Sequence, residues 1–259
     1  QIKADNILSV FFTAGYPDKG DTVKIIKYLD EAGVDMIEVG MPFSDPMADG
    51  PTIQESNKIA LKNGMTLTLL FEQLKDIRQT TNIPILLMGY LNPVLHFGVE
   101  KFCRKCNEAG VDGIILPDLP VEVYQQEYKS LFLKYDLHNI FLVAPTTSRE
   151  RLKIILPEAG GFVYMVSSSS TTGNTGRKTD QLSYADTIRE IRNDIPIMIG
   201  FGIDNSEKFQ KVCSYANGGI IGSAFIKALG IKHVQTEDQI SSFIKSIRPK
   251  ENSTEFTDN

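Results

Sequence analysis

Cysteine and histidine are both scarce, with three of each in 259 residues. The cysteines, odd in number and thinly spread, exclude a secreted disulfide scaffold and fit a reducing, cytosolic compartment. His96, His138 and His233 share no ligand spacing, which disfavours a zinc site or a metal-dependent aldolase. Positive charge is in deficit, 27 Lys plus Arg against 32 Asp plus Glu, and no basic block is longer than a few residues. The chain therefore offers no counterion-release surface for nucleic acid. No apolar run approaches the roughly 20 residues of a membrane-spanning helix. The opening QIKADNILSVFF has a short apolar stretch broken by charge and no small-residue cleavage site, so it does not read as a targeting segment. It begins at Gln1 without an initiator Met, which leaves any upstream segment open.

What is present is enough apolar material, 42% of residues, to bury one large core. Phrases recur in which a helical pattern ends at glycine and a β-branched run follows: EAGVD at Glu31 to Asp35 and again at Glu108 to Asp112, EAGG at Glu158 to Gly161, and YANGG at Tyr215 to Gly219. Each reads as a helix stopping on a left-handed glycine cap and turning into a strand. Strands are expected near Leu8 to Thr13, Met36 to Val39, Ile83 to Met88, Gly113 to Leu116, Ile140 to Val143, Phe162 to Val166, Ile195 to Ile199 and Gly219 to Ile221. Their near-continuous Val, Ile, Leu and Phe runs suit strands covered on both faces. Amphipathic stretches at Asp21 to Ala32, Val121 to Tyr135, Gln181 to Arg192 and Asn205 to Tyr215 serve as crossovers. Eight such units favour a (β/α)8 TIM barrel, one α/β domain with extra helices over residues 1–248; an open doubly wound sheet is the alternative. The polar stretch 249–259 is expected to be disordered and dispensable.

In such barrels function lies at the carboxyl ends of the strands, with phosphate often held by the loops after strands seven and eight. Strand seven runs into Gly200-Phe201-Gly202 and strand eight into Gly222-Ser223-Ala224. Glycine admits an anion close to backbone N–H groups and Ser223 adds a hydroxyl donor, although these glycines could equally serve tight turns. Strand two leads into EVGMPFSDPMADGP, placing Glu38 inside an apolar run and Asp49 in a loop bounded by Gly and Pro. A carboxyl in such a run is costly unless paired or used, and burial raises its pKa toward that of a proton shuttle; a structural Glu38 and a turn-forming Asp49 are the plainer readings. Asp118, between two prolines, is a third mouth carboxylate that a rigid turn would also explain. No Lys falls at a strand end, which weighs against a Schiff-base aldolase. Cys103 and Cys106 fall mid-helix beside Val99, Phe102 and Ala109 and read as packing thiols.

These residues resemble a known family. Ile37 to Gln54, IEVGMPFSDPMADGPTIQ, is similar to the signature of tryptophan synthase α subunits, and FFTAGYP from Phe11, MGYLNP from Met88, PDLP from Pro117, PTT from Pro145 and both phosphate loops match in order. The resemblance implies a lyase of tryptophan biosynthesis that cleaves indole-3-glycerol phosphate to indole and glyceraldehyde 3-phosphate, without metal or organic cofactor in this chain. It assigns Glu38 and Asp49 as catalytic carboxylates, one moving protons and the other receiving the indole N–H. It places Phe11, Tyr90, Ile115 and Tyr164 around the indole, and Gly173, Phe201, Gly202, Gly222 and Ser223 around the phosphate, with Thr172 in a closing loop. That loop, Ser167 to Lys178, departs from the bacterial pattern at Ser168, Ser170 and Thr171, where Arg, Gly and Val are common. The implied partner is a pyridoxal-phosphate β subunit in an αββα heterotetramer, contacted through the loops around Asp45 and Pro46 and around Asn92 and Pro93.

Three rivals share these motifs in part. A stand-alone lyase would release free indole. A phosphosugar isomerase or epimerase would keep the phosphate loops without needing an indole-sized pocket. A non-catalytic barrel that only activates a β partner would not need Glu38 and Asp49.

Overall fold

The computed structural model describes residues 5–46, 49–166, 181–200, 202–231 and 233–249. Eight parallel strands close into a barrel in sequential order: β1 (Ile7–Thr13), β2 (Met36–Gly40), β3 (Ile85–Met88), β4 (Gly113–Ile115), β5 (His138–Val143), β6 (Val163–Val166), β7 (Ile197–Gly200) and β8 (Gly218–Ile221). Pairing of β1 with β8, Ile7 opposite Gly218, seals the ring and excludes the open sheet.

The period of two along each strand explains why both faces are apolar. One row, including Leu8, Val10, Ile37, Val39, Leu87 and Val163, packs under the helices. The other, including Met36, Leu86, Ile115, Ile140, Met198 and Ile220, fills the barrel interior. Cys103 and Cys106 lie buried on the inner face of the helix Val99–Ala109, where burial pushes the Cys103 thiol up to about 12 and Cys106 also well above the ordinary range. They pack rather than react.

Two of the four recurrent phrases end their helices as expected, with Gly33 and Gly110 at positive φ; in the third the helical turn stops at Glu158 on an extended Ala159, and Gly161, at positive φ, turns the chain toward β6 instead. The fourth differs. Gly218 is already in β8, and a Cβ there would stand 2.1 Å from the Ile7 carbonyl oxygen, so this glycine serves the close β1–β8 approach instead. The repeat also has a function that the glycines hide. Asp35 accepts the Leu8 N–H at 2.8 Å, Asp112 the Ile85 N–H at 2.7 Å and Asn217 the Ile197 N–H at 2.9 Å. At β2, β4 and β8 the residue entering the even strand thus accepts an amide at the start of the odd strand before it; β6, entered through Gly160 and Gly161, has no such side chain.

The stretch Val121 to Tyr135 is not one regular helix: a short α segment, Val121–Val123, leads into a π turn, Tyr124–Tyr128, and then Lys129–Lys134. The extra residue in the turn brings Tyr124 and Phe132 onto one face, where their rings meet edge-on at 5.5 Å. Among the described residues no helix is long and apolar enough to cross a membrane.

Candidate active site

A cavity of about 370 Å³ opens at the carboxyl end of the barrel, lined by Phe11, Asp49, Ile53, Met88 and Tyr164 together with Gly202, Gly222, Ser223 and Lys227. Two glycines make room for its aromatic walls. A Cβ on Gly40 would lie 2.6 Å from the Phe11 ring, and one on Gly200 would lie 2.1 Å from the Tyr164 hydroxyl. Any larger residue at the end of β2 or β7 would displace a wall.

Asp49 stands in the wall just before the helix Pro51–Lys62, with its carbonyl accepting from Gln54 Nε2 at 2.9 Å. Its carboxylate accepts hydrogen bonds from the Tyr90 hydroxyl and the Asn57 side chain. Burial outweighs both bonds and lifts its pKa to about 6. Tyr90 comes from the loop after β3, and its ring leans on Phe43 at 5.3 Å.

Glu38 is at 0% exposure and lies within the barrel rather than in the cavity wall. Ser9 Oγ donates to Glu38 Oε1 at 2.8 Å, while Oε2 has no hydrogen-bond partner among the described residues. Desolvation dominates and pushes the carboxyl up to about 8, with the Ser9 bond pulling the other way. The phenol of Tyr164 is raised well above its usual value by burial and by the carboxyls of Glu38 and Asp49, so it is a neutral hydroxyl.

Among the residues expected at the site, Phe11, Asp49, Tyr164, Gly202, Gly222 and Ser223 share the cavity, and Tyr90 reaches it through Asp49. Ile115 is wholly buried in the interior layer, next to Met88 in the neighbouring strand, and Met88 lines the wall. Thr172, Gly173 and Phe201 lie outside the described residues, as does the whole Ser167 to Lys178 segment. Asp118 has a structural task. Its two carboxylate oxygens accept the Leu91 N–H at 2.9 and 3.1 Å, tying the loop after β4 to the start of the helix Leu91–Phe97.

Two charged cavity residues were not foreseen, Asp204 and Lys227, nor were the apolar Ile53, Met88, Ile203, Ile220 and Phe243. Lys227 sits four residues after Ser223 on the helix Ser223–Leu229, a spacing that places it on the same face and could have revealed it. Asp204 is held by Lys208 Nζ at 2.7 Å and by the Asn205 amide at 2.8 Å, which offsets its charge.

The comparisons with known proteins agree on one family. The profile described as Tryptophan synthase alpha chain matches residues 1–255. The chain belongs to the tryptophan synthase alpha chain family. It is 54% identical over 242 residues to the tryptophan synthase alpha chain of Flavobacterium psychrophilum, covering 93% of each chain. To that of Christiangramia forsetii it is 52% identical over 243 residues, covering 93% of this chain and 94% of the other. Among solved structures it is similar to a chain of the tryptophan synthase complex from Pyrococcus furiosus, at 36% identity and TM-score 0.84, with 94% of this chain and 98% of that one covered. Subunit alpha from Legionella pneumophila gives 34% identity and TM-score 0.84 over 94% of this chain and 91% of that one.

Proposed function

We propose that this tryptophan synthase alpha chain family member cleaves indole-3-glycerol phosphate to indole and glyceraldehyde 3-phosphate. The observation that carries the reading is a cavity that brings a hydrogen-bonded carboxylate and aromatic walls together with two glycine-flanked loops, Ser223 and Lys227. That suits a flat apolar ring joined to a phosphate by three carbons, and an isomerase of small phosphosugars would not need the aromatic walls.

Each role follows from the local chemistry. The indole sits against Phe11 and Tyr164, near Tyr90 and above the Ile115 layer, with its N–H toward Asp49. The phosphate lies against the backbone of Gly202, Gly222 and Ser223, with the Ser223 hydroxyl as donor and Lys227 as counter-charge; the family resemblance assigns Phe201, Gly173 and Thr172 to phosphate binding and loop closure as well. Protonation of indole C3 leaves positive charge shared with the ring nitrogen, which the Asp49 carboxylate balances. Removal of the proton from the adjacent glycerol hydroxyl forms the aldehyde and breaks the carbon–carbon bond, and the bond's electron pair returns to the ring. One proton enters at carbon and one leaves from oxygen, so a single carrier, Glu38, is restored at the end of the cycle. Because Glu38 is enclosed and outside the cavity wall, its carboxyl must expose one oxygen to the cavity to act, and the oxygen without a partner among the described residues is Oε2.

The ring itself is the electron sink, so the chemistry asks for no metal or organic cofactor in this chain. Pyridoxal phosphate would belong to a β partner in an αββα assembly in the cytoplasm, docked on the loops around Asp45 and Pro46 and around Asn92 and Pro93. Similarity to a chain of the tryptophan synthase complex supports this.

The test is indole release from indole-3-glycerol phosphate, with and without a β subunit. Glu38→Gln should lower kcat by about 10²–10⁴-fold, the usual cost of losing a general acid-base, with little change in KM. Asp49→Asn should also fall heavily, because an amide accepts a hydrogen bond but balances no charge. Folded Glu38→Gln protein with near wild-type turnover would remove Glu38 from the mechanism. Turnover without a β subunit at the rate seen with it would favour the stand-alone lyase.

A further inference from the structure

The interior face of β1 carries Ile7 and Phe11 on either side of Ser9, and all three are buried. A hydroxyl in such a row is costly unless bonded. Ser9 Oγ donates to Glu38 Oε1 at 2.8 Å, leaving Oε2 with no partner among the described residues.

We propose that Ser9 is a positioning residue for proton transfer: its hydroxyl occupies one oxygen of Glu38 and leaves the other, Oε2, as the atom that takes up and delivers the proton. The inference rests on Glu38 being the proton carrier. A serine has one hydrogen to give, and while Oε1 holds it a proton arriving at the carboxyl goes to Oε2. The neutral acid keeps the same bond, since its Oε1 still accepts. The bond therefore survives both protonation states and fixes which oxygen titrates. It also favours the ionised form against burial. The titratable groups around this carboxyl are Tyr164 on β6 and Asp49 from the loop after β2. Ser9 is the side chain that donates to this carboxyl; Tyr164, kept a neutral phenol by burial and by both carboxyls, feels it through charge, and Asp49 is engaged with Tyr90 and Asn57.

Two measurements on the full chain separate the possibilities. The first follows the Glu38 carboxyl carbon by ¹³C NMR against pH in ligand-free wild type, Ser9→Cys and Ser9→Ala. Its midpoint should rise by about half to one pH unit in Ser9→Ala, the worth of one hydrogen bond, and by less in Ser9→Cys, whose thiol is a weak donor. The second follows kcat/KM for indole-3-glycerol phosphate, whose alkaline limb should move upward in the same order, with KM little changed. A midpoint that stays put in both variants shows that the bond does not act on Glu38, and overturns the proposal. A midpoint that moves while the kinetic limb does not makes Ser9 a structural hydroxyl, and also overturns it. Wild-type protein that binds but does not cleave the substrate would instead sink the functional reading, and the NMR series still reports on the bond. Ser9→Cys, close to serine in volume, keeps both measurements available should Ser9→Ala fail to fold.

Discussion

At the scale of single residues, the two carboxyls of the site are set apart by solvation. Asp49 has two neutral donors and a place in the cavity wall, with its pKa lifted to about 6; Glu38 has one donor and is wholly buried, with its pKa pushed up to about 8. Between those values Asp49 is ionised and Glu38 protonated, the pairing that donation to indole C3 requires. We expect kcat/KM to be bell-shaped, falling as Asp49 is protonated below about 6 and as Glu38 ionises above about 8. Asp49→Asn should remove the acid limb from whatever activity remains. Glu38 also carries a stability cost of definite sign. A folded-state pKa raised above the unfolded value means that stability is fully present below about 4.5 and is lost as pH rises toward about 8. The loss from one group is at most about 1.4 kcal/mol per pH unit. Glu38→Gln, which does not ionise, should therefore gain on wild type in urea unfolding as the buffer goes from pH 5 to pH 8; an equal difference at both ends would mean that Glu38 is solvated in the folded protein. The sequence pointed to Glu38 because a carboxyl inside Ile37-Glu38-Val39 is anomalous on its face. It could not show Ser9 as the partner, which lies 29 residues away and meets Glu38 only when β1 and β2 pair.

At the scale of elements, strand existence was legible because eight apolar runs of β-branched character alternate with helical periods. Their edges moved by one or two residues, β5 beginning at His138 and β7 at Ile197, since pairing with neighbours decides where a strand starts. The π turn at Tyr124–Tyr128 was not legible: the contacts of Tyr124 with Phe132 and Phe141 that accompany it are tertiary. The recurrent EAGVD phrase was read for its glycine, yet its aspartate does as much. Asp112 accepts the Ile85 amide and pairs with Arg78, whose guanidinium also donates to the carbonyls of Gly110 and Ile83. This cluster lies at the amino end of the strands, away from the cavity. Asp112→Ala should lower stability by about 1–3 kcal/mol, the range for leaving a buried amide unpaired, and leave kcat and KM of the folded enzyme unchanged. The exposed share of the ion pair adds little to that figure. Thermal unfolding alongside the indole assay checks both halves, and a fall in kcat of the folded variant would show that the two ends of the barrel are coupled.

At the scale of the whole molecule, a barrel has a seam where its last unit meets its first, and here a residue near the end of the described chain crosses it. Arg248, following the helix Thr236–Ile247, donates to the carbonyl of Gly33 at 3.1 Å, to the carbonyl of Asn6, and to the carboxylate of Asp35. Those partners sit at the entrances to β1 and β2, more than 200 residues earlier in the chain. Its guanidinium also lies over the Phe209 ring at 5.4 Å, so the same side chain touches the helix that leads into β8. The fork geometry of arginine suits two carbonyls and a carboxylate at once; a lysine could reach one of them at a time. The Arg248 and Asp35 side chains are 23% and 21% exposed, which keeps solvent from fully screening the pair. We expect Arg248→Ala to destabilise the fold by about 2–4 kcal/mol, the sum of charged hydrogen bonds lost and an Asp35 left with only the Leu8 amide. Arg248→Lys should recover less than half of that. Hydrogen exchange gives the sharper test, because loss of a clasp should raise exchange at the amides of Leu8 and its β1 neighbours before it affects β4 and β5 on the opposite side of the ring. Uniform acceleration around the barrel would mean that the fold opens as one unit and that Arg248 stabilises it without holding the seam.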